Sequence, residues 1–288
     1  MENNISHIQD IEMNFSEYFS NLKTLNHSNT KPFMFPKISS TIKKHIQNIF
    51  KSFGIKIILV NNPSIIDHQS WWCDLKPLTD NYKNYYIPLL AIEFSLYPKS
   101  FINKINLKKI IICNSLTFCT NKYQQYRAAV PDSEINAMVY CAKETDLMYA
   151  RTVIHHELFH FFEAKNGTLY QKDLSWMKLN PKEFQYGKGG YRNREYKSLE
   201  KKYEKYFVNE YSQSGIEEDK AEIFRWMITS DTRKAELMIK KKYPLVKKCN
   251  MIKNMLNDYD DEGFQQGKGN FWEKAYVFTK VIANKYYE

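Results

Sequence analysis

His156-Glu157-Leu158-Phe159-His160 is the stretch that decides how this 288-residue chain is read. On a helix, residues four apart stand on one face with Cβ atoms about 5–6 Å apart, so both imidazoles can grip one metal ion. Glu157 directly follows the first histidine. From there its carboxylate can reach a metal-held water and take its proton as a general base. With 7 His and 20 Glu in the chain, chance would produce this pattern about 0.01 times, so the spacing carries weight as a motif.

The flanking residues predict the helix that the motif needs. Thr145 or Asp146 can serve as N-cap, and Leu147, Met148, Val153, Ile154, Leu158, Phe159, Phe161 and Phe162 form an apolar body. Gly167, after Asn166, is the expected stop. A helix this apolar is expected to be buried, and two histidines and a glutamate inside it then need partners. The plainer alternative is a pair of core histidines satisfied by hydrogen bonds. His155 sits about 100° round the helix from His156 and is expected to pack or to support rather than to ligate.

A catalytic zinc site takes three protein ligands and leaves one position open. The third is sought in Gly215-Ile216-Glu217-Glu218-Asp219-Lys220-Ala221-Glu222, where Glu218 and Glu222 share a helix face. One of these carboxylates can bind metal while the other, a turn away, orients a ligand. Tyr211 lies seven residues before Glu218 and can offer a hydrogen bond to a developing oxyanion. Tyr186 and Tyr191 are rivals for that role. Taken alone, an acidic helix start only complements the helix dipole.

His156-Glu157-x-x-His160, then Tyr211, then Glu218-x-x-Ala221-Glu222 resembles the layout of the anthrax lethal factor family and the bacterial Pro-Pro endopeptidases. These are gluzincins, in which two histidines and a downstream glutamate bind zinc. The resemblance implies Glu218 as third ligand, ahead of Glu217 and Glu222, and Tyr211 as an aid to the transition state. Trp176-x-x-Leu179-Asn180-Pro181-x-x-Phe184-x-Tyr186-Gly187 is similar to a stretch of uncharacterised zinc-binding peptidases. The likeness runs from about Lys108 to Met227. Where those families carry Asp three residues after the second histidine, this chain has Glu163, which is expected beside the ligands together with Glu222.

Composition bounds the alternatives. With 43% hydrophobic and 15% aromatic residues, the chain can bury a core and is not expected to be disordered. No run approaches the ~20 apolar residues of a membrane span, and the polar start lacks the features of a signal peptide. A cytoplasmic location is therefore the expectation, with export by a signal-free route left open. The five cysteines, Cys73, Cys113, Cys119, Cys141 and Cys249, show no CxxC spacing and are read as buried reduced thiols. The net charge of +10 is spread among interleaved acids with no nucleic-acid motif beside it, which favours a solvated lysine-rich surface over an anionic partner.

The expected fold is a zincin-like α+β unit with a mixed sheet, an active-site helix and a mainly helical lower subdomain. Its expected parts are a polar segment at 1–35, an upper subdomain at 36–166 and a lower one at 167–288. Periodicity predicts a helix from Ser40 to Phe53 stopped by Gly54, and buried strands at Ile55–Val60 and Lys109–Cys113. A further strand at Asn136–Cys141 is either the sheet edge that pairs with an extended peptide, as in zincins, or an ordinary inner strand. Further helices are expected at Glu217–Thr229, Thr232–Lys242, Leu245–Asn257 and Phe271–Tyr286, with Pro244 as a break. Residues 64–105 carry no clear pattern beyond an insertion flanking the cleft. The expected activity is zinc-dependent peptide hydrolysis, with one Zn2+ per chain, a peptide or protein substrate and no nucleic acid. An inactive zincin-fold scaffold is the alternative, and a binder of nucleic acid or anionic membrane a more distant one.

Overall fold

The computed structural model describes residues 15, 17, 18, 20, 35–143, 146–187, 189, 202–229, 243–264 and 271–287. The chain enters through helix α1 (Ser40–Phe53), whose Ile42, Ile46, Phe50 and Phe53 form one buried stripe. Ser39 caps its start, and Gly54 closes its end at φ 67°, a left-handed conformation open to glycine at little cost. Strand β1 (Lys56–Leu59) follows. Residues 64–105, without a pattern in the sequence, supply β2 (Ser64–Asp67), β3 (Trp72–Lys76), α2 (Asp80–Phe94) and α3 (Lys99–Lys104). Then come β4 (Lys109–Cys113), β5 (Ser115–Cys119), β6 (Gln124–Tyr126), β7 (Ala129–Asp132) and β8 (Ala137–Cys141).

These strands form two four-stranded sheets. The first is mixed, in the order β1-β4-β8-β7, with β1, β4 and β8 parallel and β7 antiparallel to β8. The second, β2-β3-β5-β6, is antiparallel throughout. The period-two alternation of strands sorts the side chains between two cores. From β4 and β8, Ile110, Ile112, Met138 and Tyr140 face the helices. Ile111, Cys113, Val139 and Cys141 face the second sheet. Every residue of β8 is buried because both faces of the sheet are covered.

The edge reading of this strand is therefore corrected. β8 is an inner strand, and the edge is β7, a four-residue Ala-Val-Pro-Asp run. Pro131 belongs at such a place, since it has no N–H to give to a ladder. β1, expected to be buried, forms the opposite edge and is exposed at Lys56 and half-buried beyond it.

After β8 the chain is mainly helical. Helix α4 (Leu147–Lys165) carries the histidines. It is followed by α5 (Leu174–Met177), a 3-10 turn at Tyr211–Gln213, and α6 (Ile216–Thr229), which packs along α4. Helices α7 (Tyr243–Tyr259), α8 (Asp261–Phe264) and α9 (Phe271–Tyr287) complete the described chain. Pro244, expected as a break, lies at the start of a described helix, and the residues before Tyr243 lie outside the described ones. It sits in the first turn of α7, where a missing N–H leaves no bond unmade. The helix expected at 232–242 lies outside the described residues, as do Thr145, Gly190 and Tyr191. All five cysteines are free and buried. Among the described residues no helix is long and apolar enough to cross a membrane.

Candidate metal centre

Helix α4 begins at Asp146, whose side chain accepts a hydrogen bond from the Tyr149 amide. Its Ile154, Leu158, Phe159, Phe161 and Phe162 are almost fully buried, each contributing roughly 1.5–3 kcal/mol. That burial offsets the cost of carrying His155, His156, His160 and Glu163 into the interior. The helix is also held from behind. Glu93 of α2 accepts from Arg151 Nε at 2.5 Å and from His155 Nε2 at 2.9 Å, while Tyr97 Oη lies 2.6 Å from His155 Nδ1. Burial lowers the pKa of His155, so it stays neutral. One ring nitrogen then donates to Glu93 and the other accepts from Tyr97. His155 packs, as expected, and does not join the site.

On the other face of α4, three atoms converge. His156 Nε2 and His160 Nε2 are 3.0 Å apart, and Glu218 Oε2 of α6 lies 3.1 Å from the first and 3.2 Å from the second. Ligand atoms about 2.0–2.2 Å from a tetrahedral ion stand about 3.3 Å from one another. The three buried side chains thus match the spacing and the donor chemistry of a cation site. Nitrogen and oxygen donors of this kind suit zinc among the common divalent ions.

The electrostatics agree with a site built around positive charge. Burial alone would raise the Glu218 carboxyl, but His160 and His156 hold it well below the usual carboxylate range. Burial alone would lower His156, but Glu218 and Glu222 raise it to about 10. Glu157, whose pKa is raised chiefly by burial, lines the same cleft.

The remaining sequence-predicted residues divide. Glu222 Oε1 lies 2.8 Å from His156 Nδ1, a charge contact whose direction falls short of a hydrogen bond. Glu222 is itself held by Arg225 Nε at 2.7 Å and by the Asn209 amide. Asn209 also accepts from the backbone and hydroxyl of Ser212, both at 3.0 Å, and so ties Glu222 to the turn that begins at Tyr211. The Tyr211 ring stands 5.7 Å from that of His156 and lines the cleft. Its rival Tyr186 is occupied, donating to Asp219 at 2.6 Å. Glu217 leaves the trio and tucks its carboxylate against the backbones of Gly189 and Gly215. Glu163 turns to Lys220 at 3.5 Å rather than to a ligand, and burial pushes it up to about 7. Among the described residues its Oε2 and the buried His160 Nδ1 have no hydrogen-bond partner.

The site opens into a cleft of about 400 Å³, within the roughly 300–1,000 Å³ usual for ligand sites. Its aromatic lining includes Trp71, Phe118 and Tyr123 from the second sheet and its turns, with Tyr170 and Tyr211 from the helical part. Trp71 stacks on Phe118 with centroids 5.3 Å apart. Ala129, Val130 and Pro131 bring the β7 edge into the lining, and Arg127 precedes them. Of the 64–105 stretch expected to flank the cleft, Ser70 and Trp71 do line it, whereas Asn209, Arg127, Phe118 and Tyr123 went unnoticed in the sequence. Asn209 stands two residues before Tyr211, and nothing else marked these residues.

No family model and no curated protein matches the chain. Among solved structures it is similar to the "putative zinc-binding metallo-peptidase" of Bacteroides caccae, at 14% identity and a TM-score of 0.47, over 87% of this chain and 94% of that one.

Proposed function

We propose that the chain is a zinc-dependent peptidase of the gluzincin type, on a zincin-like fold with upper and lower parts at 36–166 and 167–288. The observation that carries the reading is the convergence of His156, His160 and Glu218 within 3.2 Å of one another, with Glu157 in the same cleft. The resemblance of this layout to the lethal factor and Pro-Pro endopeptidase families adds support.

His156, His160 and Glu218 would hold the ion, with Glu222 steadying the first histidine. Bound there, zinc supplies Lewis acidity and lowers the pKa of a water to about 7. Glu157 takes the proton from the attacking water and returns it to the leaving amine; its raised pKa suits both tasks. Tyr211 donates its phenolic hydrogen to the oxyanion that develops on the carbonyl. The β7 edge offers unpaired backbone groups to an extended peptide, and the aromatic lining excludes water beside the reacting bond.

The test is zinc analysis followed by cleavage of a peptide library. Glu157→Gln should retain zinc and lose turnover. A Glu157→Gln protein that cleaves a confirmed substrate at the wild-type rate ends this mechanism.

A further inference from the structure

Arg127 is a cation of the cleft that forms no ion pair among the described residues, although its charge reaches Glu157. Among the described residues lining the cleft it is the only lysine or arginine. It is half-buried, and among the described residues its side chain makes no ion pair or hydrogen bond. Of the cleft's carboxylates, Glu157 feels the charge of Arg127 without pairing with it, and the other two are committed elsewhere. Glu218 Oε2 lies against both histidines, and Glu217 sits on the backbones of Gly189 and Gly215. A guanidinium kept partly out of water without a paired counter-charge loses solvation that a bound anion would restore.

Its backbone is pinned where the two sheets meet. The Arg127 amide donates to Leu116 O of β5 at 3.0 Å, and the next residue, Ala128, accepts from Cys141 N of β8 at 2.8 Å. The side chain therefore rises from an anchored junction at the start of β7, the strand whose Ala129, Val130 and Pro131 line the cleft. Arg127, the β7 residues and Glu157 line one cleft, so a peptide held in it lies within reach of both side chains. The planar fork of an arginine matches a carboxylate with two parallel hydrogen bonds.

We propose that Arg127 is a specificity-determining residue that binds a carboxylate of the substrate peptide, so that the cleft selects peptides with an acidic side chain or a free C-terminus close to the cleaved bond. The inference rests on the peptidase reading for its substrate, but it is tested by binding as well as by turnover.

The experiment uses the zinc-loaded Glu157→Gln protein and short labelled peptides. Each carries one Asp or Glu scanned through every position, with Asn or Gln counterparts, and each is made with a free and an amidated C-terminus. Anisotropy should show one acidic position, or the free C-terminus, binding about 10- to 100-fold tighter than its neutral counterpart, the range for hydrogen bonds to a charged group. Arg127→Gln in the same background, with zinc content unchanged, should bring that ratio to within about twofold, Arg127→Lys should keep part of it, and Arg127→Glu should turn the preference towards a lysine peptide. The scanned and the terminal arms separate the two sources of the carboxylate. Equal binding of acidic and neutral peptides overturns the inference, as does a preference that survives Arg127→Gln. Cleavage of the same peptides by the chain with Glu157 intact tests the peptidase reading separately. Turnover without acid preference removes Arg127 and keeps the peptidase, acid preference in binding without turnover does the reverse, and neither binding nor turnover removes both.

Discussion

Tyr186 Oη donates to Asp219 Oδ2 at 2.6 Å, and Asp219 is the residue after Glu218. The same oxygen accepts from Trp176 Nε1 at 2.8 Å and from Lys248 Nζ at 2.6 Å. All of these groups are buried or nearly so. The stretch from Trp176 to Tyr186 thus does its work at one remove from the candidate metal centre. It fixes the start of α6, and with it the carboxylate that meets the two histidines.

Removing one partner from this cluster strands a buried charge. Lys248→Met should cost about 3–5 kcal/mol, and Tyr186→Phe about 1–3 kcal/mol through one lost hydrogen bond. Urea unfolding of the two variants measures both. A Lys248→Met protein as stable as the wild type would mean that Asp219 is not ionised.

One zinc per chain is expected on reconstitution. His156→Ala, His160→Ala and Glu218→Ala should each abolish stoichiometric binding, whereas Glu222→Gln should weaken affinity by about 10- to 100-fold through loss of support for His156. Chelator competition with elemental analysis reads both effects. Less than about a tenth of an equivalent in the wild type would exclude the site.

Tyr211→Phe should lower kcat about 10- to 1,000-fold with little change in KM and none in zinc content, the signature of a contact made only in the transition state. Wild-type kcat in this variant would pass the role to another donor.

His68, outside the candidate ligand set, supplies a pH dependence of its own. Its Nε2 lies 2.8 Å from Asp132 and its Nδ1 3.0 Å from Glu134, and only an imidazolium can donate to both. Burial lowers its pKa, but the two carboxylates more than offset this and raise it above 6.5. A group whose folded pKa is raised stabilises fully below the unfolded value and loses that contribution as pH rises through the folded one. Urea midpoints should therefore carry a decrement over this window that His68→Gln abolishes. Because His68 stacks on Trp71 at 4.0 Å, the indole fluorescence should follow the same titration.

Local rules determined a good deal from sequence alone. The i, i+4 spacing placed His156 and His160 on one face of α4 because helix geometry is local, and the caps and apolar periodicity set the limits of α1, α4 and α6 within a residue or two. The α+β class followed from the same patterns, and the mixed sheet from the resemblance. Periodicity could not choose among Glu217, Glu218 and Glu222, since all three stand on α6 and the choice depends on how that helix packs against α4, 58 residues away for Glu218 and His160. The resemblance pointed to Glu218, and packing brings its oxygen to both histidines. β7 was hidden because four residues hold too little alternation to read, and β8 concealed its place because a strand covered on both faces carries none. The approach of Arg127 and the second sheet to the cleft is a matter of chain crossing. Contacts between residues distant in sequence leave no period behind, so only the folded chain decides them.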